Sequence, residues 1–417
     1  MARWLVLVMA VPLGAVAGIV TLLVTVAVTE HRILATVAGA LALVLGTGAL
    51  AWWAARGVRW RAGFAIGVTG LTFGLVAAAV GTLLYAPAPP YTAYPVPPGV
   101  QYWDLPTGSR IAYTKTEAPA TARPTPVILV HGGPGAPDAP EPEPAASLAW
   151  AGFDVYAYHQ LGAGLSGRLA DASGYTVARH VEDLEAIRVT LGAERVVLIG
   201  ASWGGQLIAN YLAAHPTRVA KAVVSSPSGI WAPAFTDDER LTEAGRRDQE
   251  PIAASQPRLL LAYAVLQLVG PREARALLPD STMDGVYESI VAGIDLRPGC
   301  ATPASSTSDP VSHGPTGLGF WANAATVYDS QRIPDPRPRL RNVTAPVLVL
   351  RGECDYIAWA VTREYRDLLP GAVLLPIDGA GHNIALDQPQ RYLQALLAFL
   401  LDKPLPSAPY TGAEPPW

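Results

Sequence analysis

The sequence predicts an α/β fold: a mostly parallel sheet with helices on both faces and an inserted helical lid, preceded by three membrane-spanning helices. Three observations carry this. Residues 4–28, 33–55 and 62–85 hold no charge, and each exceeds the roughly 20 residues that cross a bilayer core as a helix. Strand-like and helix-like segments alternate over 127–226 and again over 345–402, the pattern of a parallel sheet. Between them, residues 227–335 are rich in proline and charge. They read as an insertion above the sheet's carboxyl edge, where such sheets place ligands.

The three apolar segments come first. A cleaved signal peptide is the alternative for the first, but its apolar run is too long for a typical h-region, and the other two would stay unexplained. Arg56, Arg59 and Arg61 fill the second connection, whereas Arg32 in the first is balanced by Glu30, and Arg3 precedes the first span. The positive-inside rule then places the N-terminus and the second connection in the cytoplasm. Three crossings leave everything after residue 85 outside, so the expectation is a multi-pass cell-membrane protein with the domain after the spans extracytoplasmic. The spacings Gly14/Gly18, Gly63/Gly67 and Gly70/Gly74 permit close helix packing, but they do not set an oligomeric state.

Charge narrows the partners. The chain of 417 residues has a net charge of −4, and five arginines and one glutamate lie before residue 86. The remainder therefore holds 25 basic against 33 acidic residues, which argues against nucleic acid. Two cysteines, Cys300 and Cys354, are too few for a disulfide scaffold or a zinc site. Outside the cytoplasm they are a candidate pair; the alternative is two buried thiols. A bridge would tie the inserted segment to the loop at Cys354.

The remaining elements follow in order. Residues 86–98 (APAPPYTAYPVPP) form a Pro-rich spacer and 403–417 a similar tail; such chains extend at about 3.1 Å per residue. VQYWDLPTGSRIAYTK (100–115) reads as a hairpin around Pro106-Thr107-Gly108. PVILV (126–130), FDVYAY (153–158), RVVLIG (195–200), AKAVVSS (220–226), APVLVLRG (345–352) and AVLLPI (372–377) read as strands. Residues 178–192, 206–215, 362–369 and 389–402 read as helices, as do patches of the insertion at 256–270 and 271–279. The domains are thus 1–85, the spacer 86–98, a core of 99–226 and 336–402, the insertion 227–335, and the tail.

The chemistry lies in three loops. LIGASWGGQL holds Gly200-x-Ser202-x-Gly204 between a strand and a helix, the strand–turn–helix setting in which a serine hydroxyl is presented as a nucleophile. Serine needs a base, and the base an orienting acid. In this architecture the chain order is Ser, acid, His. After VLVLRG come Glu353 and Asp355, and after AVLLPI comes His382. Asp355 is preferred because it lies further past the strand end; Asp378 is too close to His382. The expected triad is Ser202, Asp355 and His382.

VILVHGGPGAP (127–137) delivers His131, Gly132, Gly133, Pro134 and Gly135 directly from a strand. Glycines let backbone approach a ligand closely, and acyl transfer builds an oxyanion that backbone N–H groups stabilise. Trp203, after the nucleophile, should give one donor, and Gly132 or Gly133 the other. His131, Pro134 and Gly135 are then the supporting loop rather than reacting groups.

These motifs resemble a known family. HGGPG, the ASWGG elbow and VEDLEAIR (181–188) are similar to the prolyl aminopeptidase (proline iminopeptidase) group of α/β-hydrolases, over roughly 100–226 and 340–402. The resemblance implies the α/β-hydrolase fold and release of an N-terminal residue, often proline, from short peptides through an acyl-enzyme, with no metal or cofactor. Two departures stand out. The group's Asp-Gln-Arg-Gly stretch reads His159-Gln160-Leu161-Gly162 here. Its lid glutamate beside a tryptophan, which binds the substrate ammonium, is absent, since Trp321 is followed by Ala322. Glu239, Glu243, Glu250 and Glu288 are alternatives for that role, and each also reads as a solvated face residue. Substrate contacts are expected in the lid, Trp321 among them. A carboxylic-ester hydrolase (esterase or lipase) acting on membrane-derived acyl esters is the runner-up, so the expected partner is a small-molecule or short-peptide substrate. A non-catalytic binding module would leave an intact triad without a purpose.

Overall fold

A computed structural model describes residues 2–137, 144–247, 256–294 and 316–417. The chain divides into two units. One comprises residues 1–89 and 256–286, the other residues 90–255 and 287–417.

The first unit is built on α1 (Ala2–Thr29), α2 (Arg32–Ala54) and α3 (Arg61–Val80), the last continued by a π-turn Gly81–Tyr85. Three helices, Val8–Thr29, Arg32–Ala54 and Arg61–Tyr85, are long and apolar enough to cross a membrane. Their outward faces carry large apolar side chains such as Val8, Leu45 and Ile66, all well exposed. Gly14 and Gly18 are spent inside the chain, on α2. A Cβ at Gly18 would stand 3.0 Å from the Gly39 carbonyl oxygen, and one at Gly39 would stand 2.8 Å from that of Gly18. The two backbones touch because neither carries a side chain there. Gly63, Gly67, Gly70 and Gly74 on α3 meet no atom within 4 Å.

The second unit holds one sheet of eight strands in the order β1-β2-β4-β3-β5-β6-β7-β8. The strands are β1 (Gln101–Asp104), β2 (Arg110–Thr116), β3 (Val127–Val130), β4 (Val155–Tyr158), β5 (Val196–Ala201), β6 (Val219–Ser225), β7 (Val347–Gly352) and β8 (Val373–Ile377). β1 and β2 form the antiparallel hairpin, β2 pairs antiparallel with β4, and β3 to β8 run parallel. Helices α4 (Pro144–Trp150), α5 (Val177–Thr190), α6 (Trp203–Ala214), α7 (Phe320–Ser330), α8 (Trp359–Leu368) and α9 (Pro389–Leu400) surround it.

The central strands are buried on both faces, as parallel strands are: all four residues of β3 and all six of β7 are buried. One core places Leu148 of α4 and Ala395, Leu396 and Leu400 of α9 against Leu129, Ile199 and Leu348. These parallel strands end on the same edge of the sheet, and their carboxyl-terminal loops converge there. Residues 132, 202, 355 and 382 all follow such ends, after β3, β5, β7 and β8.

Candidate active site

The turn after β5 is fixed by its neighbours. Ser202 is the N-cap of α6 with φ 55° and ψ −123°, a conformation that costs a non-glycine residue on the order of 1–3 kcal/mol. The flanking glycines make it feasible through close approach. A Cβ on Gly204 would stand 2.1 Å from the Val130 carbonyl oxygen, and one on Gly200 would stand 2.8 Å from Gly204. The Ser202 N–H donates to the Ser225 carbonyl at 3.0 Å, and the Ser202 carbonyl accepts from Gly205 and Ser228. The backbone is pinned on both sides, and the side chain starts a helix.

His382 and Asp355 meet. The His382 Nδ1–H donates to Asp355 Oδ1 at 2.7 Å, which leaves Nε2 as the acceptor. Asp355 is fully buried and otherwise saturated. Oδ1 also accepts the Ile357 N–H at 3.0 Å, and Oδ2 accepts Arg351 Nη1 at 2.8 Å. Burial by itself would raise the Asp355 pKa. The charges of His382 and Arg351, with hydrogen bonds from His382 and Ile357, outweigh burial and hold the carboxyl below its ordinary range. It is the ionised form that keeps the imidazole oriented.

Two residues here escaped the reading of the sequence. Arg351, buried at the end of β7, neutralises the far oxygen of Asp355; a charge inside VLVLRG, four residues before the acid, was the signal. Tyr356 lies with its ring centroid 4.2 Å from that of His382 and its hydroxyl 3.2 Å from Nε2. Burial, then the Asp355 charge, raises the phenol pKa, so the hydroxyl stays protonated and donates to Nε2. Its carbonyl accepts the Thr242 N–H at 2.8 Å, which ties the acid's loop to the start of the inserted segment.

The loop after β3 reaches the same point. A Cβ on Gly132 would meet Ser202 Cβ at 3.2 Å. Among the described residues the backbone N–H groups of Gly132, Gly133 and Trp203 make no hydrogen bond. Three unpaired backbone donors therefore lie in the two loops that meet at Ser202.

His131, behind this loop, is 2 % exposed. Its Nε2 accepts the Gln160 N–H at 2.8 Å and its Nδ1–H donates to the Gly132 carbonyl at 2.8 Å. Burial lowers its pKa to about 4, so it is a neutral brace. Gln160 completes the brace: Nε2 donates to the His131 carbonyl at 2.7 Å, and Oε1 accepts the Trp203 indole N–H at 2.8 Å. The Pro134 carbonyl accepts Asn323 Nδ2 at 2.8 Å, and the Gly135 carbonyl accepts the Gly319 N–H at 2.8 Å. The supporting loop thereby fixes the start of α7.

Trp321 on α7 is fully buried, as is Ala322 beside it. Glu239 caps its own short helix with Thr236, Glu243 pairs with Arg247, and Glu288 Oε2 accepts the Thr92 N–H at 2.9 Å. Glu250 and Cys300 lie outside the described residues. Cys354 is buried and is not a free thiol. His159, in the place of the resembled group's aspartate, accepts the Leu165 N–H through Nδ1 at 3.0 Å.

The family described as alpha/beta hydrolase fold matches residues 125–389. The chain belongs to the α/β-hydrolase family. Within it, the chain is 25% identical over 317 residues to a proline iminopeptidase of Heyndrickxia coagulans, covering 70% of this chain and 96% of that protein. It is 28% identical over 293 residues to a proline iminopeptidase of Levilactobacillus brevis, covering 66% and 88%. An esterase of Rhodococcus sp. ECU1013 shares the fold of this α/β-hydrolase, with a TM-score of 0.50, 22% identity, and coverage of 73% of this chain and 100% of that chain.

Proposed function

We propose that the protein is a membrane-anchored serine hydrolase with Ser202 as nucleophile, His382 as base and Asp355 as orienting acid, most closely of prolyl aminopeptidase type. The observation that carries this is the 2.7 Å Asp355–His382 bond at the sheet edge where the elbow serine meets the Gly132 loop. Ser202 gives its proton to His382 Nε2 as Oγ attacks the substrate carbonyl. For this, the Tyr356 hydroxyl that donates to Nε2 in the resting site must yield its place. The oxyanion is taken by the N–H of Trp203 and that of Gly132 or Gly133. The Nε2 proton then passes to the leaving amine, and water, deprotonated by His382, releases the acyl group. Asp355 stays ionised and stabilises the imidazolium.

Two relatives described as proline iminopeptidases, each matched over most of its length, support an N-terminal residue of a short peptide as substrate. The ester-hydrolase reading is favoured by one observation: Trp321 is followed by the buried Ala322 and not by the glutamate of the resembled group. Arg56 and Arg59 between α2 and α3, with Arg61 at the start of α3, support a hydrolase domain outside the cell.

The deciding experiment is turnover by the full chain in detergent, with Ser202→Ala as blank, on prolyl and other aminoacyl amides and on p-nitrophenyl esters. Turnover of the amides, with loss on N-acetylation, is expected. Activity confined to esters moves the assignment to an ester hydrolase. A reporter fused after residue 90 should be active only in its extracytoplasmic form.

A further inference from the structure

The first unit contains a helix that belongs to the inserted segment by sequence and to the membrane bundle by packing. Pro257–Leu268 reads PRLLLAYAVLQL, with no charge between Arg258 and Arg272. At 12 residues it is about 18 Å long, too short for the roughly 30 Å of a bilayer core. Leu259, Ala262, Val265 and Leu266 are buried. The opposite stripe is apolar apart from Gln267: Leu260 is 55% and Leu268 74% exposed, with exposed Ala264 midway between them. A helix apolar on both sides is out of place on a soluble surface.

Two anchors fix where it lies. Arg258, 8% exposed, donates to the carbonyls of Leu83 at 3.0 Å, of Thr82 and Pro87 at 3.2 Å, and of Ala86. Thr82 and Leu83 lie in the last turn of the third span, whose terminal carbonyls lack helix partners, Ala86 and Pro87 follow it directly, and a cation there also suits the helix dipole. Arg272, just beyond the helix, pairs with Glu30 in the connection after the first span. Because successive spans alternate in direction, the end of the first and the end of the third emerge on the same face of the bilayer. Both anchors therefore hold the helix to one face.

We propose that Pro257–Leu268 lies flat in that surface, with Leu260, Ala264 and Leu268 among the acyl chains just below the headgroups, and that its partner is the lipid itself. Helices of this kind sink roughly 5–10 Å into the headgroup boundary. The middle of the segment between β6 and β7 is then a membrane-held element rather than a free lid. The inference rests on the membrane-spanning reading of α1–α3.

The test is photocrosslinking of the full chain in vesicles of phosphatidylcholine and phosphatidylglycerol, with p-benzoylphenylalanine replacing Leu260 or Leu268 in separate variants. Leu45, exposed on α2, and Trp150, exposed on α4, are the controls. Mass spectrometry should find a phospholipid adduct at positions 260, 268 and 45 and none at 150. Adducts at 45 but none, or only protein crosslinks, at 260 or 268 overturn the proposal and leave the spans standing. No lipid at 45 overturns the spanning reading itself.

Discussion

Replacing Asp355 by asparagine should do two separable kinds of damage. One carboxylate oxygen receives His382 Nδ1–H and the other receives Arg351, at 2.7 and 2.8 Å, in a fully buried setting. An amide has one acceptor and one donor end. Turned one way it offers N–H to the Nδ1 of His382 and forces the wrong tautomer; turned the other way it offers N–H to a guanidinium. The same exchange in a serine-protease triad lowers kcat about 10⁴-fold. It also leaves Arg351 buried without its counter-charge, which costs about 3–5 kcal/mol, a fall in melting temperature on the order of 10 °C for a domain of this size. Adding Arg351→Met removes the stranded charge. Asp355→Asn/Arg351→Met should recover most of the melting temperature and none of the activity. Thermal unfolding and turnover of the full chain in detergent, measured on both variants, are the assays. Equal melting temperatures for the single and double variants, or activity within tenfold of wild type in either, would refute this division of Asp355's work.

Three further outcomes are expected. Burial holds His131 down to about 4, and burial with neighbouring charge holds His159 and His180 down to about 3; the unfolded chain binds those protons near pH 6.5, so stability is whole above that and falls towards pH 4. The slope should approach about 1.4 kcal/mol per pH unit for each histidine; a melting temperature flat from pH 7 to 5 contradicts it, and His159→Asn should lower the slope by about a third. Gln160→Leu removes the link between the His131 carbonyl and the Trp203 indole, so kcat should fall by about 10-fold or more with KM little changed; an unchanged kcat would show that the brace is dispensable. Cys354, which is not a free thiol, should pair with Cys300, the other of the two cysteines; the bridge closes a loop contributing on the order of 4 kcal/mol, so reductant or Cys300→Ser should lower both melting temperature and activity, and two maleimide-reactive thiols in the unreduced, unfolded chain rule it out.

What the sequence made legible was whatever repeats or punctuates. VILV, VVLIG and VLVLRG are largely apolar runs of strand length closed by glycine or, for VILV, by His131-Gly132, and each is a strand of the parallel sheet. The Gly200–Gly204 pattern marks a turn that neighbouring backbone forces on it. Short or weakly periodic elements were silent: PAASLAW of α4 and FWANAATVYDS of α7 become helices through packing against the sheet and the HGGPG loop. Tyr356 was invisible for another reason. Its place on His382 arises from the fold around the acid's loop, held by Thr242 more than a hundred residues earlier, and no local pattern encodes that. The apolar run LLLAYAVLQL was visible as a helix, but its packing with the spans depends on Arg258 finding the carbonyls of residues 82–87.

The most direct test of the account is covalent labelling of the full-length protein by a fluorophosphonate, which reports an activated serine whatever the natural substrate. Intact-mass analysis should show a single adduct on wild type, mapped by peptide digestion to Ser202, absent from Ser202→Ala and strongly slowed in His382→Ala. An adduct that persists in Ser202→Ala, or a wild-type protein that takes up no label, would contradict the assignment of Ser202 as the nucleophile.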